Sequence, residues 1–282
     1  MADRPDLVSD KRALEARTAA WREAGDSIAL VPTMGALHAG HLALVDAAAT
    51  VARRVVVSIF VNPTQFAPTE DFSRYPRTLE ADREMLATRP VDLIWAPGVE
   101  VMYPDGFATR IVPAGPAEGL ESVTRPHFFA GVATVVTKLL LQVRPDIALF
   151  GEKDFQQLRV IERVVADLDI PVRIRGVPIV READGLALSS RNAYLSEAER
   201  GAAPALQAAL VAAATAIERG AAPDAALAEA RRQIAAAGFV VDYVELRDAA
   251  TLGAPTAGRP RRLLAAAKLG TTRLIDNVPI AP

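Results

Sequence analysis

The stretch that decides the fold is residues 28–41, which read Ile28-Ala29-Leu30-Val31-Pro32-Thr33-Met34-Gly35-Ala36-Leu37-His38-Ala39-Gly40-His41. Its apolar start, residues 28–31, predicts a buried strand, and the alanine-rich residues 42–54 predict a helix. The turn between them holds two glycines and two of the chain's three histidines. A strand that runs through a short turn into a helix is the first half of a parallel-sheet unit.

The same alternation of strand and helix continues outward along the chain. Apolar, β-branched runs such as residues 55–61 (VVVSIFV) are typical of strands that are covered on both faces. Further strands are predicted at residues 91–96, 146–150 and 171–180, with 109–113 as an extra candidate, and helices at residues 9–24, 42–54, 78–88, 132–143 and 154–168. This alternation predicts an α/β fold, a Rossmann-like doubly wound parallel sheet.

The pattern changes near residue 182, where residues 182–185 (EADG) are typical of a turn. After it, helices are predicted at residues 197–219 and 223–237, and strands at 239–247, 263–267 and 272–275. We therefore expect a Rossmann-like catalytic domain, residues 1–181, and a smaller C-terminal α+β domain, residues 182–282.

The composition excludes several classes of protein. The 282 residues carry a formal net charge of −2, so no basic surface indicates a nucleic-acid or anionic-membrane partner. The chain has no cysteine, which excludes disulfides, thiolate nucleophiles and thiolate metal sites. No uninterrupted apolar stretch reaches the roughly 20 residues of a membrane span, and the charged N-terminus lacks the apolar core of a signal peptide. We expect a cytoplasmic protein.

His38 and His41 stand three residues apart, directly before the predicted helix. Gly40 would let the backbone approach a ligand closely, and the start of the helix would offer unpaired N–H groups to phosphate. Imidazoles there can donate hydrogen bonds to phosphate oxygens and stabilise the charge that develops at phosphorus. The alternatives are two ordinary surface histidines or half of a zinc site. Zinc is disfavoured because the chain has no cysteine and only one further histidine.

A second candidate segment, Gly151-Glu152-Lys153-Asp154, lies where the predicted strand 146–150 ends and the next helix begins. In open α/β sheets, ligands bind beyond the carboxyl ends of the strands. Lys153 is one of only four lysines, and its place at such an end suits a phosphate contact. Asp154 has a purely structural alternative as a helix N-cap.

Further candidate residues carry neutral amide or hydroxyl groups. Asn62 and Gln65 follow the predicted strand 55–61, and Gln157 lies one turn into the helix after Lys153. They suit a substrate with hydroxyl and carboxylate groups, although each alone is more often a turn or cap residue. The loop Ser189-Ser190-Arg191 suits a clamp that closes on a triphosphate, and its alternative is a polar linker.

Together these segments resemble the pantoate–β-alanine ligase (pantothenate synthetase) family of the HxGH nucleotidyltransferase superfamily. Six motifs match in chain order: VPTMGALHAGH (31–41), SIFVNPTQF (58–66), DFSRYPRT (71–78), FGEKDFQQL (150–158), READGLALSSRN (181–192) and DYVE (242–245). They cover nearly the whole chain, and such an ordered set is far more specific than His-x-Gly-His alone.

The resemblance implies an enzyme that joins pantoate to β-alanine using ATP with Mg²⁺ and releases AMP and diphosphate. Pantoate's carboxylate attacks the α-phosphate to give pantoyl adenylate, and the amine of β-alanine then displaces AMP. The resemblance also implies a homodimer, and a C-terminal domain that acts as a lid over the active site.

The same resemblance implies roles for individual residues. His41 is the proton donor, and His38 lies beside it on the phosphates; both stabilise charge, because in-line transfer depends on positioning and electrostatics. The implied catalytic residues are His41, His38, Lys153, Ser189, Ser190 and Arg191. The implied ATP-binding residues are Met34, Gly35, Ala36, Leu37, His38, Ala39, Gly40, His41, Gly151, Glu152, Lys153, Asp154, Val180, Leu188, Ser189, Ser190 and Arg191. The residues expected to bind pantoate or β-alanine are Gln65, Gln157 and Asn62.

Some positions depart from the family's pattern. Leu188 stands where the family usually has methionine, and its similar volume should preserve the packing of adenine. The family's Arg-Pro-Gly-His-Phe loop has its histidine one place early here, so we assign no role to His127 or Phe128. Asp82 is a candidate Mg²⁺ ligand, although such Mg²⁺ is held largely by phosphates and water.

Two other functions stay open at this point. One is an adenylyl-transferring enzyme of the same superfamily that acts on a different carboxylate or phosphate. The other is a non-catalytic nucleotide sensor that retains the pocket. A sensor would not need the chemical groups, yet the implied catalytic side chains are all present.

Overall fold

The computed structural model describes residues 4–66, 72 and 75–282. Asp71, Ser73 and Arg74 of the motif at 71–78 therefore lie outside the described residues, as do residues 1–3 of the predicted charged N-terminus. The chain divides into two compact units, one made of Met1–Glu152 with Val160–Pro178 and the other of Lys153–Arg159 with Ile179–Pro282.

The first unit is built on six parallel strands. They are β1 (Asp6–Val8), β2 (Ile28–Thr33), β3 (Arg54–Ile59), β4 (Leu93–Trp95), β5 (Ile147–Gly151) and β6 (Arg173–Val177). They pair in the order β1-β4-β3-β2-β5-β6. The apolar residues at the start of β2 and in the middle of β3 are buried, as expected for strands with both faces covered. The prediction of a doubly wound parallel sheet is confirmed.

Two strand predictions differ from the structure. β1 was not expected, because its three residues include a charged aspartate and are too short to show a period of two. The extra candidate at residues 109–113 is wrong. Ile111 donates its N–H to the side chain of Thr134 at 3.0 Å, so this segment docks on a helix and not on a strand.

The helices of the first unit are α1 (Lys11–Glu23), α2 (Ala39–Ala49), α3 (Leu79–Leu86), α4 (Val99–Met102), α5 (Glu121–Thr124) and α6 (Phe128–Val143). A further helix, α7 (Phe155–Asp167), has its first residues, up to Arg159, in the second unit and the rest in the first. α2 begins before residue 42 because the side chain of His38 caps it. It ends at Ala49, well before residue 54. The next residue, Thr50, donates its hydroxyl to the carbonyl of Ala47 at 2.7 Å. Alanine content alone could not predict that polar stop.

The second unit contains a three-stranded antiparallel sheet in the order β7 (Phe239–Asp248), β8 (Arg261–Leu269) and β9 (Thr272–Ile280). Its helices are α8 (Glu197–Ala202), α9 (Ala205–Glu218) and α10 (Pro223–Ala236). The single helix predicted at 197–219 is two helices, because Pro204 has no N–H with which to continue α8.

By length and composition alone, the helical run Glu197–Glu218 is apolar enough to cross a membrane. Its Leu206, Leu210 and Ile217 side chains are nevertheless buried in the hydrophobic core of the second unit, together with Leu263 and Val278 of the sheet. The apolar character of this run is thus explained by its place in the core.

Candidate active site

The carboxyl ends of three neighbouring strands place the first group of candidate residues. β3, β2 and β5 lie side by side, and parallel strands end at one edge of the sheet. Residues 34–38 follow β2, Asn62 and Gln65 follow β3, and Gly151 ends β5. The strands that follow β2 in the chain, β3 and β4, lie on one side of it, whereas β5 and β6 lie on the other side. The crevice between β2 and β5 is therefore a topological switch point.

The turn after β2 is held by two side chains from elsewhere in the first unit. Thr33 donates its hydroxyl to Ser58 O at 2.7 Å and accepts the N–H of Gly35 at 3.3 Å. Asp82 of α3 accepts the N–H groups of Ala36 at 3.1 Å and Leu37 at 2.8 Å. These bonds hold Ala36 at φ +50°, a left-handed conformation that is costly for a residue with a Cβ, next to Gly35 at φ +82°, which glycine adopts readily.

His38 and His41 form a reciprocal cap at the start of α2. His38 Nδ1 accepts the N–H of Gly40 at 3.1 Å, and His41 Nδ1 accepts the N–H of His38 at 3.2 Å. The ring centroids are 4.1 Å apart. A neutral imidazole that accepts at Nδ1 carries its proton on Nε2, so both rings are set as Nε2–H donors.

This arrangement corrects the expected phosphate contacts. The N–H groups of residues 35, 36, 37, 38 and 40 all have acceptors within the protein. The expectation that the start of the helix offers unpaired N–H groups to phosphate is therefore wrong for Gly40 and for His41, whose N–H is donated to His38 O at 2.8 Å. The imidazole rings that accept at Nδ1 each carry an Nε2–H donor in their neutral form.

The side chain of Asn62 is buried, and both ends of its amide have hydrogen-bond partners in the protein, Gln65 among them. It is 1% exposed, and its Nδ2 donates to Gln65 Oε1 at 3.1 Å and to Gly131 O at 3.2 Å. Its Oδ1 accepts the N–H and hydroxyl of Thr64 and the hydroxyl of Tyr103, the last at 2.7 Å. The expected contact between Asn62 and a substrate is therefore not supported, because both ends of its amide already bind protein groups.

These contacts fix the orientation of Gln65. Since Gln65 Oε1 accepts from Asn62, its Nε2 points the other way and lies 3.0 Å from Met34 Sδ. Burial raises the pKa of Tyr103, so its hydroxyl stays a neutral donor to the asparagine. Sequence reasoning missed Tyr103, because nothing in the local pattern links it to a residue 41 positions away.

Gly131 was also missed as part of this region. A Cβ at this position of α6 would lie 2.6 Å from Thr64 O, closer than packing allows. The glycine therefore lets α6 pack directly against the short 3₁₀ turn Pro63–Gln65 that carries Gln65. Arg125 adds a bond from Nη2 to Gln65 O at 3.3 Å, with its guanidinium 3.8 Å from the ring of Phe128.

The second group of candidate residues lies in the second unit, where Lys153 and Gln157 belong to the short segment Lys153–Arg159. Asn277 of β9 donates to Lys153 O at 3.0 Å, which anchors the backbone of the lysine. Lys153 Nζ lies 3.8 Å from Asp154 Oδ2, and Gln157 is half-buried on the first turn of α7. Gly151 and Glu152 belong to the first unit.

The polar loop of the second unit is folded back on itself. Leu188 donates its N–H to Val180 O at 3.0 Å, which brings these two predicted ATP-binding residues together. Arg181 pairs with the buried carboxylate of Asp276 through two bonds of 2.6 and 2.8 Å. Ser189 Oγ accepts the N–H of Arg191 at 3.3 Å and caps the 3₁₀ turn Ser190–Tyr194.

Across residues 4–66, 72 and 75–282, the structure contains no group of three His, Cys, Asp or Glu side chains arranged to hold a metal ion. Asp82, the candidate Mg²⁺ ligand, is 2% exposed and directs both oxygens at backbone N–H groups of the turn. Its surroundings do not fit a metal ligand.

Comparison with known proteins identifies the family. The sequence model described as Pantoate-beta-alanine ligase matches residues 6–279. The chain belongs to the pantoate–β-alanine ligase family. The resemblance drawn from the six ordered motifs is thereby confirmed.

Relatives and solved structures of this family match along the whole chain. Pantothenate synthetase 2 of Bradyrhizobium diazoefficiens is 61% identical over 90% of this chain and 91% of its own. The pantothenate synthetase of Paramagnetospirillum magneticum is 55% identical over 98% of both chains. The crystal structure of the pantothenate synthetase from Thermus thermophilus superposes with a TM-score of 0.91 at 46% identity, covering 98% of this chain and 100% of that one. The Francisella tularensis pantoate-beta-alanine ligase, complexed with beta-gamma ATP and beta-alanine, gives 0.83 at 33% identity over 97% of both.

Proposed function

We propose that the chain catalyses the ATP-dependent condensation of pantoate with β-alanine to pantothenate. The observation that carries this proposal is the family match to residues 6–279, together with full-length relatives named pantothenate synthetase. The Francisella ligase was solved with an ATP compound and β-alanine, two of the three substrates of this reaction.

The reaction balances in two displacements. A carboxylate oxygen of pantoate forms a bond to the α-phosphorus of ATP while the bond to the leaving diphosphate breaks. The amine of β-alanine then attacks the acyl carbon of pantoyl adenylate, forms the amide and loses a proton, and AMP leaves with the bridging oxygen. Both steps build negative charge on phosphate oxygens, which is where fixed donors lower the barrier.

His38 and His41 supply such donors. Since Nδ1 of each ring accepts a backbone N–H, each Nε2–H is held in one direction before the nucleotide binds. In this proposal His41 donates to a phosphate oxygen on which negative charge builds, and His38 donates to a neighbouring phosphate oxygen. The other ATP contacts of the first unit are Met34, Gly35, Ala36, Leu37, Ala39, Gly40, Gly151 and Glu152.

The glutamines select pantoate. Gln65 presents an N–H donor because Asn62 occupies its oxygen, and a donor suits the carboxylate or hydroxyl oxygens of pantoate. Gln157 is proposed as the second amide on the same substrate. Asn62 acts through Gln65, in place of the direct contact first expected.

The proposal includes a second set of ATP contacts. Lys153, Ser189, Ser190 and Arg191 contact the triphosphate, Val180 and Leu188 pack on adenine, and Asp154 lies beside the lysine. Residues 182–282 act as a lid over the active site of a catalytic domain formed by residues 1–181. Location in the cytoplasm stays a prediction.

Mg²⁺ and the homodimer are also proposals. Because the described residues offer no cage of acidic ligands, Mg²⁺ would be bound by phosphate oxygens and water, where it supplies charge neutralisation. Light scattering coupled to gel filtration tests the dimer. A mass of two chains supports it, and a mass of one chain contradicts it.

The function is tested by incubating the protein with ATP and Mg²⁺ while adding pantoate and β-alanine separately and together. Pantoate alone should support ATP–diphosphate exchange, and both substrates should yield pantothenate and AMP in equal amounts. Exchange with another acid but not with pantoate would favour a related adenylyl-transferring enzyme. ATP binding without exchange for any acid would favour a nucleotide sensor.

A substitution tests the histidine role. His41→Ala should lower the rate of pantothenate formation by about a hundredfold, as expected for loss of a transition-state donor. An unchanged rate would contradict the role assigned to His41.

A further inference from the structure

Asp82 is a buried carboxylate that contacts the histidine turn and that no step above uses. It lies in the first turn of α3, 2% exposed, where the helix N-terminus favours a negative charge. Three donors converge on it: the N–H groups of Ala36 and Leu37 and, at 3.3 Å, the hydroxyl of Thr78. Such a set satisfies a buried carboxylate without a cation.

The turn at residues 35–37 packs closely against this carboxylate. A Cβ on Gly35 would lie 3.0 Å from Asp82 Oδ2 and would crowd the carboxylate, and the φ of +82° also favours glycine at this position. The next residue, Ala36, is held at φ +50°, a conformation that costs about 1–2 kcal/mol for a residue with a Cβ. The bond from its N–H to Asp82 offsets that cost.

The held turn sets the tautomers of the two histidines. Leu37 directly precedes His38, whose N–H must reach His41 Nδ1 at 3.2 Å, while Gly40 must reach His38 Nδ1 at 3.1 Å. Both bonds are near the upper limit of N–H hydrogen-bond distance, so a shift of about 1 Å in the turn breaks them. Their loss removes the acceptor role of Nδ1 that favours the Nε2–H form of each ring.

We propose that Asp82 is a positioning residue, which holds the turn at residues 35–37 and thereby presets His38 and His41 as Nε2–H donors toward ATP. Its kinetic consequence rests on the proposed ligase function, whereas its effect on the imidazole rings does not.

Asp82→Asn is the sharpest perturbation, because it keeps the shape and changes one acceptor oxygen into an NH₂ group. If that group takes the place of Oδ1 it meets the N–H of Leu37, and if it takes the place of Oδ2 it meets the N–H of Ala36. In either rotamer the new NH₂ group faces a backbone N–H. Because two donors cannot form a hydrogen bond with each other, the turn must move.

Asp248→Asn is a control at a second buried carboxylate. Asp248 is also 2% exposed and also accepts two backbone N–H groups and one threonine hydroxyl, from Ala250 and Thr251 in the loop between β7 and β8. All three bonds reach Oδ1, and Oδ2 lies 3.1 Å from Arg259 Nε, so Asp248→Asn can keep these donors while it removes a buried negative charge and an ion pair. The loop carries none of the proposed substrate contacts.

The first readout is the tautomer state of the histidines, measured by long-range ¹H–¹⁵N NMR on protein labelled with ¹⁵N-histidine. The chain has only three histidines, so each pattern can be assigned. Wild type and Asp248→Asn should show His38 and His41 protonated on Nε2, and Asp82→Asn should show mixed tautomers for both. Unchanged tautomers in a folded Asp82→Asn protein would overturn the proposal.

The second readout is pantoate-dependent ATP–diphosphate exchange. Asp82→Asn should lower kcat/KM for ATP by about tenfold to a hundredfold, with KM for pantoate changed less than about threefold. Asp248→Asn should retain the wild-type kcat/KM. An equal loss in both variants would overturn the proposal, because it would indicate a general loss of stability.

Thr78→Val keeps the test decisive if Asp82→Asn does not fold. Thr78 is exposed and supplies only the third donor to the carboxylate, so its loss should lower kcat/KM for ATP by a smaller factor, about twofold to fivefold. No change in either readout would overturn the proposal. Absence of exchange in the wild type would instead contradict the ligase function and leave the NMR test intact.

Discussion

Replacing Asn62 by aspartate should damage stability and pantoate use together, and it should do so in a pH-dependent way. The side chain is 1% exposed, and its Nδ2 donates to Gln65 Oε1 at 3.1 Å and Gly131 O at 3.2 Å. In Asn62→Asp an acceptor oxygen faces both. The amide of Gln65 can rotate to relieve one contact, but the carbonyl of Gly131 is fixed in α6.

The magnitudes follow from these contacts. A buried carboxylate left against a carbonyl should cost about 3 kcal/mol of unfolding free energy near pH 8, in the range for an uncompensated buried charge. Rotation of Gln65 also turns its oxygen toward pantoate and removes a donor to a carboxylate, worth about 1.5–3 kcal/mol. KM for pantoate should therefore rise about tenfold to 150-fold, with KM for ATP within about twofold of wild type.

The pH dependence has a definite sign. Protonating the new carboxyl lets it donate to Gly131 O, so its folded-state pKa lies above the unfolded value of about 3.9. The folded state then binds the proton more tightly, and the deficit relative to wild type is smallest at low pH and grows as pH rises through the folded pKa.

Urea unfolding of both proteins at pH 5.5 and pH 8, with initial rates at varied pantoate, measures these effects. Equal stability deficits at the two pH values and an unchanged KM for pantoate would refute the reasoning about the asparagine.

Three other substitutions test neighbouring contacts. Tyr103→Phe removes one of three donors to that asparagine and should lower the unfolding free energy by about 1 kcal/mol in urea titration, with a modest rise in KM for pantoate; no change in either would contradict the contact. Gly131→Ala places a methyl group against Thr64 O and should cost about 1–3 kcal/mol and raise KM for pantoate, whereas a silent change would contradict the close packing. Arg181→Met leaves Asp276 buried without its partner and should cost about 3–5 kcal/mol, measured by urea unfolding; a loss below about 1 kcal/mol would refute the pairing.

The sheet could be predicted because its signal is local. The runs that form β2 and β3 are apolar throughout, and this composition alone indicates strands buried on both faces. β1 could not be predicted, since three residues show no period and their pairing with β4 depends on a strand far along the chain. Predicted helix ends were wrong where a single residue decides them, the hydroxyl of Thr50 in one case and the missing N–H of Pro204 in the other.

In the candidate site, too, local features could be predicted from the sequence and long-range contacts could not. The identity of the turn at residues 34–41 could be predicted from its motif, but the partners of its N–H groups could not. Asp82 is 45 positions from Leu37, and no local pattern relates the two. Asn62 was assigned to the substrate because an amide after a strand suits that role. Only the contacts from Tyr103 and Gly131 reveal that it supports Gln65.

The most direct test of the central claim is the fate of oxygen from pantoate labelled with ¹⁸O in its carboxylate. If the reaction passes through pantoyl adenylate, the bridging oxygen leaves with AMP. The ³¹P NMR signal of AMP should therefore show the isotope shift of one ¹⁸O per turnover, and diphosphate should show none. Label in diphosphate, or unlabelled AMP with pantothenate formed, would contradict the account.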